Sequence, residues 1–484
     1  MNTDLTSLKP ALVWKHFAAM TQIPRPSFHE EKIRRYVLDV ARSLGLECRE
    51  DAAHNVYVRK PASKGMENRA GVILQAHLDM VPQKNNDKKF DFLKDPIRAY
   101  VDGDWVTADG TTLGADNGIG AAAILAVLED DTLEHGPLEA LFTATEETGM
   151  AGAFGLKKGL LKGDILLNLD SETEGELYVG CAGGLDANIR FRSVPEPTPA
   201  RNYTAATVAV KGLKGGHSGI QIVCQRANAN KLLFRLLRRW TAAHDLLLCS
   251  VDGGGLRNAI PREAFAVFGV PAETAGDVCE RCRAFAVEIV EEFKYTEPNL
   301  QMTLNKIEGV EWVLDPVTMQ SLVGALVGLP NGVLAMSHAV EGLVETSSNL
   351  ASVKFGAEGI VVTTSQRSSV ESAKRYAAQT VEAVLRLSGA EVAHSDGYPG
   401  WSPDPDSYLL HVTEQCYERL FAVKPKVRAI HAGLECGLFL EKYPELDMVS
   451  FGPTLRGVHS PDERLEIATV QKFWDLLCAV VGSL

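Results

Sequence analysis

The sequence predicts an α/β protein in which a largely parallel, mixed sheet lies between helices and is interrupted by an α+β domain. Three observations carry that expectation. Short apolar runs ending in polar residues, at 72–77, 138–143 and 165–170, read as strands covered on both faces. The alanine-rich helix former 121–128 lies between the first two, and a strand–helix–strand order implies parallel pairing, with antiparallel strands allowed at the edge. Beyond Gly183-Gly184 the texture changes to alternating strands such as 206–210 and amphipathic helices such as 229–240, the pattern of a second, α+β domain.

In chain order, Ser27 followed by Glu30 forms a capping box for a helix. Its apolar stripe is Ile33, Tyr36, Val37, Val40, Ala41 and Leu44, and Gly45 stops it. The segment 316–340 carries no Asp, Glu, Lys or Arg, yet Pro330-Asn331-Gly332 breaks it, so it reads as a buried helix, a turn and a buried strand rather than a membrane span. A Pro/Gly/Ser-rich stretch at 395–403 reads as a linker, after which a helix at 409–420 and an apolar strand at 448–452 return to the texture of the first region. The expected division is residues 1–186 with 398–484 as one domain and 187–397 as its insertion.

Lys and Arg number 49 against 62 Asp and Glu, a formal charge of −13. With no basic stripe, this balance argues against nucleic acid and against an anionic membrane surface as partners. The nine cysteines are odd in number and scattered, which fits a reducing compartment, and Cys279-x-x-Cys282 has no second pair to complete a zinc site. The start, Met1 to Leu5, has no basic and apolar signal pattern, so the expected location is cytoplasmic.

The chemistry is concentrated where polar residues follow buried strands, because a carboxylate there is costly unless paired or bound to metal. His77 and Asp79 are two apart and share a side in extended chain, so Asp79 can hold the His77 imidazole in one tautomer. Asp116 precedes the alanine-rich helix, where a plain N-cap is the competing reading. Glu146 and Glu147 follow the second strand; in extended chain they point to opposite sides, one toward metal and the other toward substrate as a base. A solvated acidic pair is the alternative. Asp170 ends the third strand and His459 follows a fourth. Two histidines and three non-adjacent carboxylates suffice for two divalent ions with one shared carboxylate.

The series His77-x-Asp79, Asp116-Asn117, Glu146-Glu147, Asp170 and His459 resembles the co-catalytic zinc superfamily of aminopeptidases, carboxypeptidases, aminoacylases and dipeptidases. The segments 23–27, 75–81, 113–117 and 431–437 are similar to its bacterial aminoacyl-histidine dipeptidase branch, and the likeness spans essentially the whole chain. The resemblance implies a zinc-exopeptidase-like catalytic domain with an inserted lid, which is also the dimerisation domain. It implies Asp116 as bridging ligand, His77 and Asp170 on one zinc, Glu147 and His459 on the other, Asp79 as the orienter of His77, and Glu146 as general base. It further implies a cis peptide between Asp116 and Asn117. In the lid, Gly215-Gly216-His217-Ser218-Gly219 matches the histidine that stabilises the oxyanion, although without the family an exposed turn is the simpler reading. Asn258 would line the substrate pocket and Arg367 would hold the dipeptide carboxylate, with a surface salt bridge as the alternative for Arg367. Thr346, Asn349, His431 and Glu435 are further substrate-binding candidates, and Glu435 has a structural alternative. The implied activity is hydrolysis of unblocked dipeptides, Xaa-His and β-alanyl-histidine included, by a cytoplasmic homodimer with two Zn²⁺ per chain, for which Mn²⁺ or Co²⁺ can substitute. A deacylase or carboxypeptidase on the same metals, or an inactive scaffold, are the alternatives.

Overall fold

A computed structural model describes residues 4–193, 195–198, 202–242, 245–356 and 359–484; Met1, Asn2 and Thr3 of the amino-terminal segment discussed above lie outside them. The chain forms two compact units, one of residues 1–180, 403–429 and 434–484, the other of 181–402 and 430–433. Among the described residues no helix is long and apolar enough to cross a membrane.

In the first unit an eight-stranded sheet runs in the order Glu47–Glu50, Val56–Lys60, Leu138–Thr143, Val72–His77, Ile165–Asn168, Asp447–Ser450, Glu176–Cys181 and Lys426–Ile430. Its four middle strands are mutually parallel, and Val56–Lys60 and Glu176–Cys181 pair antiparallel at either side of them. The expected parallel core with antiparallel edges is what forms. Val72–His77, Leu138–Thr143 and Ile165–Asn168 are buried at every position, as strands covered on both faces must be. The helix Ala115–Glu129 is buried almost throughout because it is apolar all round, and its alanines present no bulk to the elements beside it.

The first helix stripe forms as read, over Glu31–Ser43, with Gly45 left-handed beyond it. The capping box does not. Ser27 lies four residues before the helix and donates its hydroxyl to Asp79 Oδ2 (2.7 Å), while Glu30 Oε1 accepts from the Thr145 N–H (3.0 Å) and hydroxyl (2.7 Å). Both side chains serve distant loops, and such partners outrank a local cap when they are buried carboxylates and backbone donors that would otherwise go unpaired.

The second unit is an antiparallel nine-stranded sheet with helices Ala229–Thr241, Ala275–Phe293, Pro316–Gly328 and Glu371–Leu387. Leu233, Trp240, Phe285, Leu322 and Val381 from these helices share one apolar core with Val208, Phe268 and Val362 of the sheet. Cys279 and Cys282 lie on the second of these helices. The charge-free stretch does form helix, turn and strand, but the strand Gly332–Met336 is not buried. It pairs along only part of Val344–Gly356, and Leu334 and Met336 are exposed, since a strand with one neighbour has nothing to cover its outer side.

Candidate functional site

In the first unit the polar residues after three parallel strands meet at one edge of the sheet, where strand carboxyl ends open a crevice. His77 closes the strand Val72–His77, and its Nδ1 stands 3.3 Å from Asp79 Oδ1. Asp79 is wholly buried and takes three further donors, Ser27 and the N–H groups of Glu146 (2.9 Å) and Glu147 (3.1 Å). One carboxylate thereby orients an imidazole and ties down the neighbouring acidic loop.

Asp116 is the centre of the arrangement. The turn before it needs Gly114, which is left-handed (φ 71°) and packed so tightly that a side-chain carbon there would lie 2.9 Å from Met80 Sδ. Asp116 itself is non-helical (φ −80°, ψ 113°), and its peptide to Asn117 is cis. Its carboxylate faces two histidines instead of capping the helix. Oδ1 lies 3.2 Å from His77 Nε2, and Oδ2 lies 3.1 Å from His459 Nε2. Asp170 Oδ1 is 3.5 Å from His77 Nε2 and accepts from the Asn117 amide, and Glu147 Oε2 is 2.9 Å from His459 Nε2.

The acidic pair differs from the extended geometry expected of it. Thr145 is left-handed (φ 54°), and Glu146 opens a turn in which the N–H groups of Gly149 and Met150 donate to its carbonyl. As a result Glu146 and Glu147 face the same way, and each offers an oxygen to one group with His77 whose atoms lie within 4.8 Å of one another. The sets His77, Asp116, Asp170 and Asp116, Glu147, His459 meet the same condition. Glu147 Oε1 is buried with no hydrogen-bond partner. A nitrogen-and-oxygen donor set this dense, with a buried carboxylate oxygen left unpaired, fits divalent metal.

The electrostatics agree with that fit. Burial works against a charged His77, but Asp170, Asp116 and Asp79 outweigh it and raise its pKa well above the ordinary value. Hydrogen bonding to Asp116 and Glu147 raises His459 to about 11. Burial raises Glu146 well above the carboxylate range, helped by Asp170, Glu435 and Glu147 and opposed by His77.

Beneath the acids a polar row crosses the sheet. Ser450 donates to Asn168 (2.5 Å), Asn168 to Gln75 (2.5 Å), and Gln75 and Thr143 to Glu435 Oε2 (2.7 and 2.8 Å). Glu435 is buried, its Oε1 has no partner, and burial with nearby Asp170 and Asp79 raises it to about 8.

The second unit holds its own cluster. His217 Nδ1 accepts from the N–H groups of Gly219 (3.1 Å) and Ile220 (3.3 Å), so the neutral ring carries its proton on Nε2; burial, then Arg367, lowers its pKa. The strand pair Gly216–His217 with Ala259–Ile260 sets it beside Asn258, whose carbonyl accepts from the Ser218 N–H (2.7 Å) and whose side chain is exposed. Arg367 is buried rather than on the surface, and donates through Nη1 to the Tyr398 hydroxyl (2.7 Å). His431 Nε2 lies 2.7 Å from the Ser347 hydroxyl, and burial with Arg367 lowers its pKa to about 3. Thr346 pairs with Ser368 (2.9 Å). Asn349 spends its amide on the Ala259 carbonyl (2.8 Å) and its oxygen on Asn228 (3.3 Å), thereby bracing the loop that carries Asn258.

Arg25, Ser27, Tyr398 and Glu463 are site residues that the sequence does not mark as such. Each acts on a partner far along the chain; the acidic residue four positions after His459 was the one local signal available for Glu463.

The model of peptidase family M20/M25/M40 matches residues 73–483. The chain is 46% identical over 482 residues to the cytosol non-specific dipeptidase of Escherichia coli K12, covering 100% of this chain and 99% of that one. It is also 46% identical to aminoacylhistidine dipeptidase from Vibrio alginolyticus, whose crystal structure it matches with a TM-score of 0.94 over 100% of this chain and 98% of that one. An aminopeptidase from Bacillus cereus shares the fold (TM-score 0.58, 14% identity, 98% of both chains).

Proposed function

The chain belongs to peptidase family M20/M25/M40 and is a metal-dependent peptidase, and on that premise we propose that it hydrolyses unblocked dipeptides, Xaa-His and β-alanyl-histidine included, at a two-zinc centre. The observation that carries the two-metal reading is Asp116, whose two oxygens face different histidines and so divide the donors into two sets sharing one carboxylate. His77, Asp116 and Asp170 would hold one ion, and Asp116, Glu147 and His459 the other; Mn²⁺ or Co²⁺ suits the same donors. Bound there, the pair lowers the pKa of water and polarises a carbonyl.

The remaining steps belong to the chain. Glu146 accepts the proton of the attacking water and returns it to the leaving amine. His217, neutral with its proton on Nε2, is assigned to the developing oxyanion. Arg367 presents a planar guanidinium, held by Tyr398, to the substrate carboxylate, which limits length. Glu435, a buried carboxylate with a spare oxygen, suits the ammonium of an unblocked amino end. His431, Asn258, Thr346 and Asn349 are assigned to the walls of the substrate site. The relative named for the cytosol supports a cytoplasmic location, and a homodimer is proposed with it.

Assays of a free dipeptide beside its N-acetylated form test the proposal. The free form should be strongly preferred, and preference for the acylated one would make the protein a deacylase. Arg367→Ala should raise KM for dipeptides about ten- to a hundredfold, the equivalent of one charge-assisted hydrogen bond, and barely affect a C-terminally amidated analogue. Equal losses on both would remove the carboxylate role.

A further inference from the structure

Glu463 is buried, and its two oxygens accept four successive backbone N–H groups. Oε2 takes those of Leu113 (2.8 Å) and Gly114 (2.9 Å), and Oε1 those of Ala115 (2.8 Å) and Asp116 (3.3 Å). Donors at a helix start have no partner within the helix, and here Asp116 does not cap them because its carboxylate faces His77 and His459.

The opposite side of the same loop is held by Arg25, also buried. Its guanidinium donates to the carbonyls of Leu78 (2.8 Å), Asp79 (3.0 Å) and Gly114. Glu463 therefore receives the loop's N–H groups while Arg25 binds its carbonyl and the segment following His77.

Glu463 also shares a turn with His459. Gly457 (φ 66°) and His459 (φ 61°) are left-handed, Ser460 N–H donates to the Gly457 carbonyl, Glu463 N–H donates to the Ser460 carbonyl, and Thr107 donates to the Glu463 carbonyl (2.8 Å). One short turn thus grips Asp116 twice, by its side chain through His459 and by its backbone through Glu463.

We propose that Glu463 is the positioning residue of the metal centre, fixing the Asp116 carboxylate between its two donor sets from the turn that supplies His459. The proposal rests on the reading that these donors bind metal. A purely structural cap would stabilise the fold without changing metal affinity, and that difference is measurable. In Glu463→Gln an amide NH₂ replaces one acceptor and confronts two of the four N–H groups. Glu139→Gln is the control: Glu139 is buried and accepts from Lys162 N–H (2.8 Å), Gly163 N–H (3.3 Å) and the Tyr57 hydroxyl (2.7 Å), but it lies at the start of the strand whose far end leads to Glu146.

The full chain, stripped of metal, is titrated with Zn²⁺ against a chromophoric chelator, and its Tm is measured with and without Zn²⁺. Glu463→Gln should weaken at least one of the two binding steps about ten- to a hundredfold, the usual cost of losing a supporting partner of a metal ligand, and shrink the rise in Tm that Zn²⁺ produces. Glu139→Gln should lower both Tm values together and leave Zn²⁺ affinity unchanged. If Glu463→Gln does not fold, Glu463→Asp, which keeps both oxygens on a shorter side chain, is measured instead and should show the same weakening. Wild-type affinity and a full Zn²⁺-induced rise in the folded variant overturn the proposal alone. A wild-type chain that binds no Zn²⁺, Mn²⁺ or Co²⁺ overturns the metal reading as well.

Discussion

Glu146→Ala should lower kcat for dipeptide hydrolysis by about 10²–10⁴-fold, the range associated with a positioned general base, while zinc stoichiometry stays near that of the wild type. The geometry separates the two quantities. Asp116, Asp170, Glu147 and the two histidines make up two candidate metal-donor groups without Glu146, whereas Glu146 stands beside them on the turn that Asp79 holds. Its protonation also gives a direction in pH. Burial and the like charges of Asp170, Glu435 and Glu147 raise its pKa, so it loses base character as pH falls through that value, and bound cations shift the limb downward. With metal kept saturating at every pH, the acid limb of kcat/KM in the wild type should therefore be absent from the residual activity of Glu146→Ala. Unchanged turnover in the variant would reject Glu146 as the base.

Removing metal should abolish hydrolysis, and reloading with Zn²⁺, Mn²⁺ or Co²⁺ should restore it. The reloading should depend on pH with a definite sign. In the metal-free protein, pairing with Asp116 and Glu147 raises His459 from an ordinary value to about 11, and carboxylates raise His77 despite its burial. A folded-state pKa raised in this way contributes stability that is fully present below the unfolded value of about 6.5 and is lost as pH rises through about 11. Near neutrality both rings thus hold a proton that metal must displace. Affinity should fall as pH falls, by up to about tenfold per unit for each proton released. Competition titrations between pH 6 and 8 measure this, and pH-independent affinity would show that neither histidine gives up a proton to the metal.

The metal candidates stood in the sequence within a few residues after an apolar run or just before an apolar helix, and the physics of such positions is local. A carboxylate or imidazole at the end of a strand covered on both faces must find a partner, and in parallel strands those ends lie on one edge of the sheet. The two histidines, Asp116, Asp170 and one member of the Glu146-Glu147 pair could therefore be read as one group, and the choice of Glu147 from that pair rested on the family resemblance. The orientation of the acidic pair could not, because it depends on a left-handed Thr145 that no periodicity announces. Nor could the work of Ser27, whose sequence neighbourhood favours a cap although its hydroxyl is taken by Asp79.

The sequence by itself determined the layer order, the strands that lead to the site, the donor types and the change of texture at the second unit. These follow from hydrophobic period and from the cost of burying unpaired charge, both readable within a dozen residues. Only the tertiary structure decided which groups hold those donors in place: Arg25 under the loop of Asp116, Glu463 on its backbone from 347 residues away, Tyr398 on Arg367, and the row from Ser450 to Glu435. A hydrogen bond between segments so far apart leaves no period in either one. It exists because folding removes water from both partners at once, so each must be satisfied by whatever the other strands and turns bring to it.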